Sequence, residues 1–310
     1  MKYRVLISAP YFIPVIDEYR AFLAENDIEP VVVDVEERLE EDELVAILGD
    51  VDGIICGDDR LTARAIAAAP RLKVISKWGT GIDSIDQAAT TERNIRVCRT
   101  PNAFTEPVAD TVLGYILCFA RNLPLMDREM KKGIWKKIPG HALNEVTVGV
   151  IGVGTIGRAV LRRVRPFGSV LIGNDPNVPD GFAEETGTEF TNLEDLLVRS
   201  DYVSLNCDLN QTSRHLINAQ TLSLMKPTAV LVNTARGPVI DEAAMIDALL
   251  AGEIGGVALD VFENEPLPVD SPLRGMDNVL IAPHNSNSSP TAWKKVHLST
   301  LNQLVAGLKA

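Results

Sequence analysis

No stretch of this 310-residue chain approaches the roughly 18 to 20 consecutive apolar residues of a bilayer-spanning helix, although 46% of it is hydrophobic. That excludes a helical membrane protein and leaves a chain able to bury a large core, long enough for two domains. Positive charge is in deficit, with 30 Lys and Arg against 42 Asp and Glu and a formal net charge of −12. Neither nucleic acid nor an anionic membrane surface is then expected as the main partner, and an anionic ligand would need local cations. The four cysteines, Cys56, Cys98, Cys118 and Cys207, form no close pair. They lack redox or metal-ligand spacing and read as core thiols, so no metal is expected. There is no nucleophile elbow, short-period repeat or low-complexity tract. The apolar segment Val5 to Ile16 is broken by Pro10 and Pro14 and lacks a small-residue cleavage site. It reads as a strand and a loop, not a signal peptide, and a cytoplasmic location is expected.

What is present is an alternation of short apolar runs with helix-like segments. Arg4 to Ser8, Val31 to Val35, Gly53 to Cys56, Leu72 to Ser76 and Ile95 to Cys98 form a first series. A second runs through Val146 to Ile151, Val170 to Gly173, Tyr202 to Asn206, Ala229 to Asn233, Gly256 to Val261 and Val279 to Ile281. The pattern predicts an α/β fold of two doubly wound parallel-sheet domains. Between the series, Thr105 to Leu123 reads as a long helix with Thr105 as N-cap, Pro107 early, and apolar residues almost all round. Such a helix must be buried, and a subunit interface is favoured. A last helical stretch follows Ser289 and is expected to return to the first unit.

VTVGVIGVGTIGRAV places Gly152, Gly154 and Gly157 as GxGxxG between an apolar strand and a helix. Gly152 permits the tight turn, Gly154 the approach of a pyrophosphate, and Gly157 close helix–strand packing, while N–H groups near Thr155 and Ile156 face the anion. The next strand ends in Asp175, where a carboxylate can accept from a ribose and repel a 2′-phosphate. NAD is expected over NADP.

Three further strand ends carry reactive side chains. NTARG places Arg236 just past one, where a guanidinium can hold a carboxylate and polarise a carbonyl. GGVALDVFENEP supplies Asp260, Glu263 and Glu265, and NVLIAPHNS supplies His284. Reduction of a 2-oxo acid needs a proton as hydride arrives, so His284 is assigned as acid/base with Glu265 as its partner. Asp260, nearer its strand, is assigned to the nicotinamide amide. His141, His215 and His297 read as surface or core. In the first series, KWGTGID ends a strand in a turn whose Gly79 and Gly81 could offer N–H groups to an anion, with Lys77 adding positive charge.

WGTGID, GVGTIG with Asp175, NTARG, ALDVFENEP and APH, in this order, resemble the D-isomer-specific 2-hydroxyacid dehydrogenase family over nearly the whole chain. The resemblance implies a Rossmann NAD domain at 101–285, carrying the long dimerisation helix. It would be inserted in a discontinuous flavodoxin-like substrate domain at 1–100 plus 286–310, with a cleft between the two and a homodimer. Arg236, Glu265 and His284 match the family's catalytic positions, and Gly79, Thr80 and Gly81 its substrate-carboxylate loop. Thr80, Thr155, Ile156, Cys207, Thr234, Ala235 and Asp260 would line the cofactor. RLKVISKWGTGIDSID, MKKGIWKK and LVNTARGPVIDE are most similar to the members that oxidise 3-phosphoglycerate. Alternatives are a hydroxypyruvate or glyoxylate reductase and a dinucleotide-sensing co-repressor-like scaffold, the last disfavoured by the intact Arg236, Glu265 and His284. Some positions depart from the family pattern: Ser84, Asp110, and Asn206–Cys207–Asp208. Gly57, Asp58 and Asp59 stand where phosphoglycerate enzymes carry a basic residue, so Lys77, with Lys136 or Lys137 from a neighbouring subunit, would have to compensate. An appended regulatory domain is not expected.

Overall fold

A computed structural model describes residues 2–178 and 180–310. The chain divides into two compact units, Met1–Phe104 with Ser289–Ala310, and Thr105–Ser288. In chain order the first unit contains β1 Tyr3–Ile7, α1 Arg20–Glu25, β2 Ile28–Val32, α2 Glu41–Ile47, β3 Gly53–Cys56, α3 Ala63–Ala67, β4 Val74–Lys77, α4 Gln87–Glu92 and β5 Arg96–Cys98. The second opens with α5 Thr105–Ala120, α6 Leu123–Lys131, β6 Thr147–Ile151, α7 Thr155–Val164, β7 Val170–Asn174, α8 Phe182–Thr186 and β8 Glu189–Phe190. It continues with α9 Leu193–Arg199, β9 Tyr202–Leu205, α10 Ala219–Leu222, β10 Val230–Asn233, α11 Glu242–Ala251, β11 Gly256–Leu259 and β12 Val279–Ile281. The last helix, α12 Pro290–Leu308, belongs to the first unit again.

Both sheets are wholly parallel, as the alternating pattern predicts. The first has the order β2-β1-β3-β4-β5 and the second β12-β11-β10-β9-β6-β7-β8. In the first the winding reverses between β1 and β3, and in the second between β6 and β9, so each sheet has one switch point at its carboxyl edge. Strands β3, β4, β9, β10 and β11 are buried at every residue, as expected of parallel strands covered on both faces. In the second sheet side chains alternate between two cores. Ile151, Leu205, Leu231 and Leu259 pack with α9 and α11 on one face, while Val150, Val232 and Ala258 pack with α5 and α7 on the other.

Several boundaries differ from the sequence reading. The second strand is Ile28–Val32, not Val31–Val35. It includes Pro30, whose missing N–H is tolerated because β2 lies at a sheet edge. The two-residue edge strand β8 left no period to detect. Thr105 is the first helical residue of α5, not its cap. That helix stops at Ala120, because Asn122 adopts a left-handed φ of 52° and α6 begins beyond it. Nor is α5 covered all round: Val108, Ala109, Val112, Ile116 and Ala120 are buried, whereas Glu106, Asp110 and Gly114 lie open. Arg163 of α7 pairs with both acids.

Helix α12 starts on Ser289, whose hydroxyl accepts from the Ala292 N–H, with Pro290 in its first turn. Gly307 near its end lets it settle onto β4, since a Cβ there would stand 2.5 Å from Val74 Cγ2. Gly307→Ala is therefore expected to cost about 1–3 kcal/mol through overpacking, read as a lower urea midpoint at unchanged slope. An unaltered midpoint would mean that α12 does not press on β4.

Candidate active site

In the second unit the glycine-rich turn leaves β6 and enters α7. Gly152 has φ +85°, and a Cβ on it would lie 2.6 Å from the Cys207 nitrogen. A Cβ on Gly157 would lie 2.0 Å from the Gly152 oxygen. Both glycines are thus required by the protein's own packing. Gly154, the N-cap of α7, differs: it is exposed, and a Cβ there would meet nothing within 4 Å. Its bare backbone leaves the first N–H groups of a ten-residue helix, at Thr155 and Ile156, open to an anion.

Asp175 follows β7. Its carboxylate accepts from the Val153 N–H at 2.6 Å and the Asn177 N–H at 2.7 Å, so it also braces the glycine turn from the next strand. Just past the ends of β9 and β10 lie Asn206 and Thr234, beside each other by register. Asn206 Oδ1 and Thr234 Oγ1 are buried and have no hydrogen-bond partner among the described residues. An unmet buried polar group costs about 1–3 kcal/mol, and a polar ligand lying along this edge would relieve both. The open Gly154 and the two orphaned oxygens fit a bound dinucleotide. Cys207, half-buried against Gly152, has its thiol pushed up to about 11 by burial and stays protonated at neutral pH. Cys56 and Cys98 are buried as expected, and Cys118 only partly.

The loop after β10 is set by Asn233, which the sequence reading passed over inside NTARG. Fully buried, it accepts the Ala235 N–H at 3.0 Å and donates to the Arg236 carbonyl at 2.9 Å, a side-chain-closed turn typical of Asn. Arg236 is extended there, with Nη1 donating to the Ala235 carbonyl. Gly237 follows because a Cβ would fall 1.9 Å from the Phe262 carbonyl carbon and oxygen.

Beyond β11, Glu265 folds back so that Oε1 accepts the Phe262 N–H at 2.9 Å while Oε2 lies 3.1 Å from His284 Nδ1. The side chains of this pair are 17% and 22% exposed. His284 sits past β12 with a left-handed φ of 49°, its N–H bonded to the Asp260 carbonyl. The Asp260 carboxylate is sealed. One oxygen accepts the Asn285 N–H at 2.7 Å and the other the Ser286 N–H at 2.9 Å. Burial raises its pKa, and the Ser286 side chain, those N–H groups and His284 pull it back. Both oxygens thus hold the turn that carries His284. His215, read as surface or core, forms a half-exposed pair with Glu263 at 2.8 Å across 48 residues.

In the first unit, Lys77 ends β4 and is 3% exposed. Its ammonium donates to the Gly57 carbonyl at 2.6 Å and to Asp58 Oδ1 at 2.8 Å. Lys77 is thus not the available cation that the sequence reading assumed; the acidic run Asp58–Asp59 takes up its charge. The turn after it is shaped by Gly79, with φ +137°, whose carbonyl accepts the Thr100 N–H, and by Thr80, whose hydroxyl donates to the Thr100 carbonyl. Gly81 is half-buried.

The NAD-binding domain model of the D-isomer specific 2-hydroxyacid dehydrogenases matches residues 113–286. D-3-phosphoglycerate dehydrogenase of Methanocaldococcus jannaschii is 40% identical over 84% of this chain and 51% of that protein, so the chain spans about half its length. Glyoxylate reductase of Thermofilum pendens is 39% identical over 86% of this chain and 81% of the other. The structure of D-lactate dehydrogenase from Aquifex aeolicus, complexed with NAD and lactic acid, superposes with a TM-score of 0.87. It is 28% identical and covers 99% of this chain and 95% of that one. With the glycine turn, Asp175 and the Arg236, Glu265 and His284 strand ends in place, the chain belongs to the D-isomer-specific 2-hydroxyacid dehydrogenase family of NAD-dependent oxidoreductases.

Proposed function

We propose that the chain reduces a small, unphosphorylated 2-oxo acid to its D-2-hydroxy acid, and runs the reverse oxidation. The observation that carries this reading is the His284–Glu265 pair at 3.1 Å, held at a strand end beside the Arg236 loop. Gly152, Gly154, Thr155, Ile156, Gly157, Asp175, Cys207, Thr234 and Ala235 hold the dinucleotide. Once bound, NADH supplies hydride to carbon 2. With the His284 ring doubly protonated, Nδ1–H donates to Glu265 and Nε2–H gives its proton to the oxygen that becomes the hydroxyl, leaving the neutral ring in its Nδ1–H tautomer. Arg236 binds the carboxylate and polarises that oxygen; in the first unit, the Gly79 to Gly81 turn is read, from its match to the family pattern, as a carboxylate-binding loop offering N–H donors. Asp260 works at one remove by holding the His284 turn.

The reading of an unphosphorylated substrate is supported by the charge around Lys77 in the first unit. A 3-phosphoglycerate-type reading asked Lys77 for phosphate charge, but Lys77 is committed to Asp58, and Asp59 lies buried next to it. Two carboxylates against one ammonium make a poor phosphate site. The names of the two relatives do not discriminate, since one acts on a phosphorylated and one on an unphosphorylated acid at nearly equal identity. We also propose a homodimer built on α5, whose Leu113, Leu117 and Cys118 remain half-exposed.

Three measurements test these statements. His284→Ala should lower turnover by about 100- to 10,000-fold, the range of general acid catalysis, and leave NADH affinity nearly intact; equal loss of both would remove His284 from the chemistry. Glyoxylate and hydroxypyruvate should exceed 3-phosphohydroxypyruvate in kcat/KM by about tenfold or more, a difference of ~1.4 kcal/mol. A preference for the phosphorylated acid would restore the phosphoglycerate reading. Sedimentation at micromolar concentration should give a dimer, and a single monomer species would exclude the α5 interface.

A further inference from the structure

The Gly79–Gly81 turn has no regular structure of its own, so something else must fix it. Its own hydrogen bonds go to Arg99 and Thr100, and that segment and Trp78 are held in turn by α12, more than two hundred residues from the turn in sequence. The Thr100 segment that brackets Gly79 and Thr80 donates from Thr100 Oγ1 to Ser299 Oγ at 3.1 Å. Gln303 Nε2 donates both to Ser299 Oγ at 2.9 Å and to the Arg99 carbonyl at 3.1 Å. On β4, Ser76 Oγ donates to the Thr300 carbonyl at 2.8 Å. Directly before the turn, Trp78 Nε1 donates to His297 Nδ1 at 2.9 Å. Trp78 and His297 are each 5% exposed, and the imidazole sits among the rings of Phe12, Tyr19 and Trp78.

An indole nitrogen can only donate, so His297 Nδ1 must be unprotonated and the ring neutral, with its proton on Nε2. An imidazolium has two donors and no acceptor, and the bond to Trp78 cannot survive protonation. We infer that His297 is a positioning residue for the Gly79–Gly81 turn, holding it through Trp78 while neutral and releasing it when protonated. The inference rests on the reading of that turn as the substrate-carboxylate site. The surroundings favour the neutral ring. Burial lowers its pKa, and Glu18 opposes this more weakly. The facing Tyr19 hydroxyl is itself held protonated by burial and by Glu18, and Lys294 and Lys295 on α12 are exposed. Because the folded pKa is depressed, the contribution of His297 is full above the ordinary imidazole value of about 6.5 and is lost as pH falls through the folded value.

Hydrogen exchange of the full-length protein, read on peptides spanning the turn, tests this without requiring turnover. At about pH 7.5, His297→Phe should speed exchange at residues 79–81 by about tenfold, the scale of one buried hydrogen bond, and leave β6 and β9 protected. His297→Asn, which can place an oxygen near the former Nδ1, should restore protection. In wild type, stepwise acidification below the ordinary imidazole value of about 6.5, carried as far as β6 and β9 stay protected, should produce the same loosening after correction for intrinsic rates, and in His297→Asn it should not. Trp78→Phe, which deletes the donor and keeps the packing, should match His297→Phe and serves if the latter fails to fold. In steady-state assays the KM for the 2-oxo acid should rise about tenfold with NADH affinity unchanged. Unchanged turn exchange in both His297→Phe and Trp78→Phe would overturn the positioning role, and acid-insensitive exchange in wild type would overturn the release. Absence of turnover on every 2-oxo acid would defeat the proposed function instead, since the exchange readout of the turn is independent of it.

Discussion

Parallel strand pairing is the constraint from which the rest of this molecule follows. When every strand of a sheet runs the same way, all carboxyl ends come out on one edge, and the loops leaving them are the only backbone free of ladder bonds at that edge. In the second unit this gathers the glycine turn after β6, Asp175 after β7, Asn206 and Cys207 after β9, Arg236 after β10, Glu265 after β11 and His284 after β12. The buried strands have no freedom to carry chemistry, so it is confined to their ends. The switch point between β6 and β9 is where the contact between Gly152 and Cys207 falls.

Buried charge is used in two opposite ways. Asp260 is taken out of water and then met by two backbone N–H groups, so its cost is offset only when the turn bearing His284 is folded as seen. Lys77 is also taken out of water, but its partner is another side chain and the result is a neutralised cation. The first arrangement orients a reactive group. The second removes a charge that the acidic composition otherwise leaves scarce.

What the sequence made legible was local. Runs such as GIIC and VLVN declare buried parallel strands, and the three glycines of GVGTIG declare a turn whose geometry only glycine allows; the positive φ of Gly152 and the contact behind Gly157 are the physical content of that motif. The His284–Glu265 pairing could also be anticipated, because both residues follow adjacent strands of one sheet. What failed depended on side-chain geometry across long separations. Nothing near Lys77 in the chain reveals that Asp58, nineteen residues earlier, takes its charge. His297 reads as any buried histidine until the fold brings Trp78 to it over 219 residues. The end of α5 was missed for a related reason, since Asn122 breaks the helix through backbone conformation and not through an apolar pattern.

The contact of Gly237 with the Phe262–Glu263 backbone has a consequence for how this protein can change. A Cβ at 237 would overlap main-chain atoms at 1.9 Å, so no neighbouring side chain can swing away to make room. The segment carrying Arg236 and the segment leading to Glu265 are therefore welded at zero clearance, and an insertion or deletion in either would displace both. Changes that keep Arg236 and Glu265 where they are must therefore fall outside both segments.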